Sequence, residues 1–463
     1  MDRNSPGPSR SFDKTVSVVL TILLGFIFLL TLIRLVRYAA LFATQSLQVD
    51  FSAYYTAGES LNAGLSPYKN NVTHIPPIWD GIARYKYSRF LYPPLVASFF
   101  QPFALLTYFQ AKILWEIFSV LFIIATMVIT SRLFPLNDLK VVFLIGLFIA
   151  IFHPLLIHLE RGQVDALTLL MITLAFWLMA TGDGHNDYRA GVVLSIAVLF
   201  KLYSLFFLPF IMIRKRWQSM RGFVFGTLAW IVLTIVVQLG WSHLVDYGYN
   251  QLPRIANFGN IAASDTLVDK KFIRAALAAT PPEFETLKDG RGYQLASLQF
   301  TSNATLIEPL LDGLGSVELF APISLLSLLV FGLLFFLVWL WQSFFVRLPL
   351  SPQDEFIYWQ IPAVVVLLAA PLTWSMNVVW LIPLFFVATT SFVKKIPWIQ
   401  FLSLTLVSIG LILALLPDNF NLPVVSSLWN IISTQKYVCA ESTIFIGLMI
   451  WFIRRPDRTL PEG

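Results

Sequence analysis

Six positions within or at the edges of apolar runs carry residue types suited to acid–base and anion chemistry or to binding a polar ligand: Asp50, Arg161, Gln163, Lys201, Trp374 and Asn377. Ionisable and polar groups at membrane depth are costly and mark functional sites by default. A carboxylate beside cations suits transfer from an anionic leaving group, because one group takes a proton while the others hold the growing negative charge. Asp50 is the best-placed carboxylate. It is equally suited to cap a helix beginning near Phe51, since aspartate is a favoured N-cap residue. Arg161 and Lys201 fit two roles as well, anion binding or snorkelling toward lipid headgroups. Lys201 sits within an apolar run and requires a counter-charge. His153 and His158 are five residues apart around Pro154 and do not share a helix face, so a metal site is not expected; no Asp-x-Asp signature occurs either. Cys439 is the single cysteine, which leaves neither an intrachain disulfide nor a cysteine metal site. No cofactor is expected.

The elements that position these residues follow from composition. Of 463 residues, 57% are apolar and 13% charged, against about 45–50% and about 25% in a soluble domain. That excess places the chain in a membrane. Apolar runs near the length that spans a bilayer as a helix fall at about 16–43, 110–131, 140–157, 163–181, 189–200, 202–213, 222–240, 318–346, 356–371, 374–393, 397–416 and 436–453. The expectation is therefore an all-α polytopic bundle of about twelve transmembrane helices forming one integral-membrane domain over 1–463. The formal charge of +6 is not gathered into a stripe or tract, which argues against nucleic acid.

Lys and Arg in short connections set orientation. With the N-terminus inside, Arg132, Lys140, Arg189, the run Arg214-Lys215-Arg216, Lys394, Lys395 and Arg454 collect on the cytoplasmic side. Both termini are then cytoplasmic, and two long segments, 44–109 and 241–317, lie outside. The first is rich in Tyr54, Tyr55, Tyr68, Trp79, Tyr92 and other amphipathic aromatics suited to an interface. Within it, 52–63 reads as a short helix stopped at Gly64, and 93–109 as a partly inserted segment. Asp50, Glu160, Arg161, Gln163, Lys201, Trp374, Ser375 and Asn377 all fall on this outer side, which suggests one outward cleft. Arg214-Lys215-Arg216 reads as a topology anchor.

The stretch from Asp50 to Tyr68, Asp-Phe-Ser-Ala-Tyr-Tyr-Thr-Ala-Gly-Glu-Ser-Leu-Asn-Ala-Gly-Leu-Ser-Pro-Tyr, resembles the first-loop motif of the polytopic glycosyltransferases of family 87. Tyr92-Pro93-Pro94, Gly162-Gln163, the Lys201 to Pro209 stretch and Pro371-Leu-Thr-Trp374 follow in the family's order. The resemblance implies a GT-C fold whose active site faces away from the cytoplasm of a plasma (inner) membrane. It implies transfer of a mannose-like hexose from a polyprenyl-phosphate sugar to a lipid-linked or cell-envelope glycan acceptor, with inversion and with Asp50 as general base. Arg161, Lys201 and Arg89 would hold the donor phosphate. Tyr54, Tyr55, Tyr92, Gln163, Trp374 and Asn377 would contact substrate. One departure stands out: where the family often has histidine after the last motif's tryptophan, this chain reads Trp374-Ser375-Met376-Asn377. That shifts donor-phosphate binding onto Arg161, Lys201 or Arg89. Two other readings remain open, a flippase or transporter of lipid-linked glycans and an inactive lipid-sugar-binding relative.

Overall fold

The computed structural model describes residues 8–44, 49–68, 90–182, 184–238, 240–252, 323–346, 349–370, 375–392, 396–416 and 435–453. Among them there are helices and turns and no strand. Among the described residues, five helices are long and apolar enough to cross a membrane, and a bent pair would make a sixth. The sequence has about twelve apolar runs; the others are kept short, broken, or enclosed within the bundle.

The first helix, α1 (Pro8–Thr44), is the most apolar of the spans and is sheathed by neighbours over very little of its surface. After it comes α2 (Val49–Asn62), close to the short helix expected over 52–63, and Gly64 ends the turn with a φ of 71°. The segment 93–109 folds as α3 (Pro94–Phe100) and a 3-10 turn (Phe103–Leu105), both largely buried. Thr107 and Gln110 then form a reciprocal capping box that starts α4 (Tyr108–Leu133). Gly58 lets α2 lie directly on the end of α3: a Cβ there would sit 2.6 Å from the Phe100 carbonyl oxygen.

Asp138 caps α5 (Leu139–Ile151), which meets α6 (His153–Arg161) at a 51° bend where Pro154 enters the first turn. Gly162 closes α6 in the left-handed region, φ 66°, a conformation that glycine adopts without a Cβ penalty. Next come α7 (Asp165–Thr181) and α8 (Gly184–Phe200), and at Lys201 the backbone becomes extended before a 3-10 turn (Leu202–Phe206) and α9 (Phe207–Ile213). Helix α10 (Trp217–Val237) crosses α8 at backbone distance. Cβ atoms on Gly191 and Gly222 would fall 1.8 Å and 1.9 Å from the carbonyl oxygens of Ser219 and Tyr188, so the crossing depends on glycine. A short helix, α11 (Ser242–Asp246), follows.

Of the second large loop, 241–317, residues 253–317 lie outside the described residues. The chain continues with α12 (Ile323–Phe345), α13 (Pro352–Ala369), a 3-10 segment (Ser375–Leu381), α14 (Ile382–Phe392), α15 (Trp398–Leu415) and α16 (Lys436–Trp451). Helix α13, capped by Ser351, is almost wholly buried and forms the bundle's axis, with Trp359 stacked on Phe176 of α7. At one end of this core Arg214 and Arg216 grip Glu355 of α13, and Arg216 also reaches Asp187 of α8 at 3.1 Å. The run expected as a topology anchor is thus also a clamp between α8, α10 and α13.

Candidate active site

Along α8, Asp187 and Lys201 are separated by about 20 Å at 1.5 Å per residue, so the Lys201 end is the opposite end of the bundle from the Arg216 clamp. A second polar cluster is assembled there. Asp50 occupies the first turn of α2, and Arg161 the last turn of α6. Their side chains meet in a two-point contact: Arg161 Nε donates to Asp50 Oδ2 at 2.5 Å and Nη2 to Oδ1 at 3.4 Å. Planar two-point pairing of this kind is among the stronger side-chain interactions. The structure thus gives Asp50 a specific charged partner in addition to its place in a first turn.

Lys201 receives the counter-charge that its apolar surroundings require from Asp165, whose Oδ2 lies 3.1 Å from the ammonium. Asp165 opens α7, so its carboxylate also lies in the favourable field of a helix N-terminus. Tyr203 donates to the other oxygen of Asp165 at 3.5 Å. The ammonium lies 5.8 Å from the ring centres of both Tyr92 and Tyr203.

Gln163 joins the two ion pairs. Its Oε1 accepts from Tyr54 at 2.9 Å and from Lys201 and Tyr92 at 3.4 Å each. The Tyr54 and Tyr92 hydroxyls are 2.7 Å apart, and Tyr92 is held in place where its carbonyl oxygen accepts from Tyr68 at 2.9 Å. Burial, then the neighbouring phenol and Asp50, push the Tyr54 hydroxyl well above its ordinary titration range. Tyr92 is raised too, again by burial first, with Lys201 opposing. Both phenols therefore stay protonated and act as donors. Local sequence explains the convergence. Asp50 and Tyr54 are one turn apart on α2. Left-handed Gly162 turns the chain so that Arg161 and Gln163, on either side of it, both reach the cluster, and the Gly162 carbonyl is fixed by the indole of Trp115 at 2.9 Å.

The cluster thus brings together Asp50, Tyr54, Tyr92, Arg161, Gln163 and Lys201. Tyr55 is directed elsewhere: its hydroxyl donates to Leu106 at 2.8 Å and its ring packs on Tyr108, fastening α2 to the start of α4. Asn377 is buried in the 3-10 segment that packs against α6 and α7. Arg89 and Trp374 lie outside the described residues. Sequence reasoning passed over Asp165 and Tyr203, and weighed His158 only as a metal ligand. Asp165 carried a signal, since it stands two residues past Gln163 in an apolar setting and is the carboxylate that Lys201 needs. A separate apolar cavity of about 480 Å³, bordered by Leu24, Val141, Phe148, Phe385, Leu411 and Leu415, shares no residue with the cluster.

Fold and site together define a class: a helical membrane bundle with carboxylates, cations and phenols gathered at breaks between its helices. Residues 90–287 match the model of glycosyltransferase family 87. That match includes Tyr92, Arg161, Gln163, Asp165 and Lys201, begins after Asp50, agrees with the resemblance of the first-loop motif, and implies a membrane glycosyltransferase. No curated protein and no solved structure matches the chain.

Proposed function

We infer that this protein moves a mannose-like hexose from a polyprenyl-phosphate sugar to a lipid-linked or cell-envelope glycan acceptor. The reaction takes place on the extracytoplasmic face of a plasma membrane and inverts the anomeric carbon. The observation that carries this reading is the buried Asp50–Arg161 pair at the head of the first-loop motif, beside a second cation, Lys201, and two protonated phenols.

Asp50 is the general base: it removes the proton of the acceptor hydroxyl as that oxygen attacks. The carrier phosphate leaves on the other side of the sugar. Arg161 links the two events. In the structure it neutralises Asp50, and a carrier phosphate arriving beside it offers an alternative anionic partner. Transfer of the guanidinium from carboxylate to phosphate frees Asp50 to accept a proton only when donor is present. Lys201, held by Asp165, adds fixed positive charge, and Tyr54, Tyr92 and Gln163 supply neutral hydrogen bonds for sugar hydroxyls. A flippase would call for polar groups along a path between the two ends. The described ion-pair clusters instead lie toward opposite ends of α8.

Membranes containing the Asp50→Asn protein, supplied with labelled polyprenyl-phosphate mannose and native acceptor, are expected to lose transfer by about 10²–10⁴-fold, the usual contribution of a general base. Transfer at the wild-type rate by correctly inserted Asp50→Asn protein would remove Asp50 from the mechanism.

A further inference from the structure

His158 lies in the closing turns of α6 with no exposed surface, and neither ring nitrogen has a hydrogen-bond partner. An imidazole always carries at least one N–H, so burying it without a partner is costly, and such a group in a folded protein calls for a reason. Packing does not supply one. The helix reads His-Pro-Leu-Leu-Ile-His-Leu-Glu-Arg, and any of its aliphatic residue types would fill an apolar slot at position 158 without stranding a polar group.

Position supplies a better reason. His158 is three residues before Arg161, a spacing that puts two side chains on neighbouring parts of one helix face. The charged groups that act on its ring are Asp165, Lys201 and Asp50, which come from both ion pairs of the cluster. Its main-chain oxygen accepts the N–H groups of Gly162 and Gln163, so the turn that aims Arg161 and Gln163 is built on this residue. Arg161 and Lys201 each already face a carboxylate. The imidazole is an ionisable group beside them whose donor has no such commitment.

We propose that His158 donates a hydrogen bond to the phosphate of the lipid carrier and so stabilises the leaving group. The proposal rests on the reading above that the donor is a polyprenyl-phosphate sugar. In the transfer step the acceptor oxygen bonds to the anomeric carbon as the bond from that carbon to the phosphate oxygen breaks. The hydroxyl proton passes to Asp50, and the electron pair of the broken bond stays on the phosphate, which gains one negative charge. A donor fixed in a buried site is worth most where charge grows in this way. His158 would also offset the departure at Met376, since α6 packs directly against the 3-10 segment that contains Met376 and Asn377.

The test uses the full-length protein in lipid nanodiscs and two probes that differ only in the phosphate, a polyprenyl monophosphate and the matching polyprenol. His158→Leu and His158→Phe remove the donor, and His158→Gln retains a neutral one. Both donorless variants, or whichever keeps the wild-type melting temperature, are expected to bind the monophosphate about 10- to 100-fold more weakly and the polyprenol unchanged. His158→Gln should recover most of the difference. Unchanged phosphate preference in a folded donorless variant overturns the proposal, as does an equal loss for both lipids, which would mark a packing role. If the wild-type protein itself does not prefer the monophosphate, the polyprenyl-phosphate reading falls as well, an outcome distinct from a wild-type preference that the variants share.

Discussion

The Asp50–Arg161 pair allows stability and catalysis to be separated by a double-mutant cycle. The two side chains are 8% and 11% exposed and approach to 2.5 Å, so removing either leaves the other charged in a poorly solvated place. At an effective dielectric of about 20, unit charges about 4 Å apart attract by ~4 kcal/mol. Truncating one partner of a buried pair costs about 3–5 kcal/mol, chiefly from the stranded charge. Asp50→Asn and Arg161→Gln should each lower thermal stability by an amount in that range, lessened by the small remaining exposure. The double variant strands no charge. It should recover most of the loss, so the coupling energy should approach the sum of the two single losses.

Activity should not follow stability. On the proposed mechanism Asp50→Asn loses the base and the double variant loses it too, so both should remain inactive although the double variant is nearly as stable as wild type. Arg161→Gln retains the carboxylate but loses its phosphate partner, so its transfer rate falls as well. The assay is thermal unfolding of purified protein in one detergent, paired with transfer of labelled sugar in reconstituted vesicles. Additive stability losses would show that the two groups are not coupled as the distances imply. Recovered transfer in the double variant would refute the assignment of the base.

Three further outcomes follow from other parts of the structure. Lys201→Gln leaves the buried Asp165 carboxylate without its cation, so it should lower thermal stability, and Asp165→Asn in the same chain should restore most of it; unfolding temperatures of the three variants check this. Gly222→Leu places a side chain where a Cβ alone would stand 1.9 Å from the Tyr188 carbonyl oxygen. It should separate α8 from α10 and sharply reduce the yield of folded protein by size-exclusion profile, while Leu at exposed Gly64 should cost far less. For orientation, cysteines placed singly at exposed Asn62 and Lys215 in a Cys439→Ser background should react with an impermeant thiol reagent from opposite sides of the membrane. Asn62 should label in intact cells and Lys215 only after lysis.

Much of the fold was legible because its signals are local. The apolar runs, the short helix near Asp50 and the stop at Gly64 each depend on a few neighbouring residues. The individual site residues were also visible, since Asp50, Arg161, Gln163 and Lys201 stand out against apolar surroundings. Their pairing was not visible. Asp50 and Arg161 are 111 residues apart, and nothing in either stretch states that α2 rests against the end of α6. Lys201 declared its need for a counter-charge, but nothing local to either stretch pairs it with Asp165, which the fold brings to it from the start of α7. His158 was weighed only as one of a metal pair with His153, a question that says nothing about a single imidazole three residues before Arg161 on the same helix. Tyr55 shows the converse, a motif residue of the right type whose hydroxyl fastens one helix to another.

The places where the apolar runs fail to become straight spans are the places where the site is made. In a bilayer every main-chain N–H and C=O needs a partner, so irregular backbone is tolerated at membrane depth only inside protein or beside a polar cavity. This chain bends by 51° before His153, turns left-handed at Gly162, and is extended at Lys201. Each break frees a side chain that an unbroken helix would have sent to lipid or to the neighbouring helix: His158 and Arg161 on a short tilted helix, Gln163 and Asp165 across one glycine turn, Lys201 between two helical segments. The cost of breaking the helices is offset locally, by the Trp115 indole on the Gly162 carbonyl and by the backbone bonds that Gly162 and Gln163 return to His158. Straightening any of these segments would add a more regular span and remove a member of the cluster. The smaller number of long spans among the described residues and the presence of a buried polar cluster are therefore two consequences of the same interruptions in the sequence.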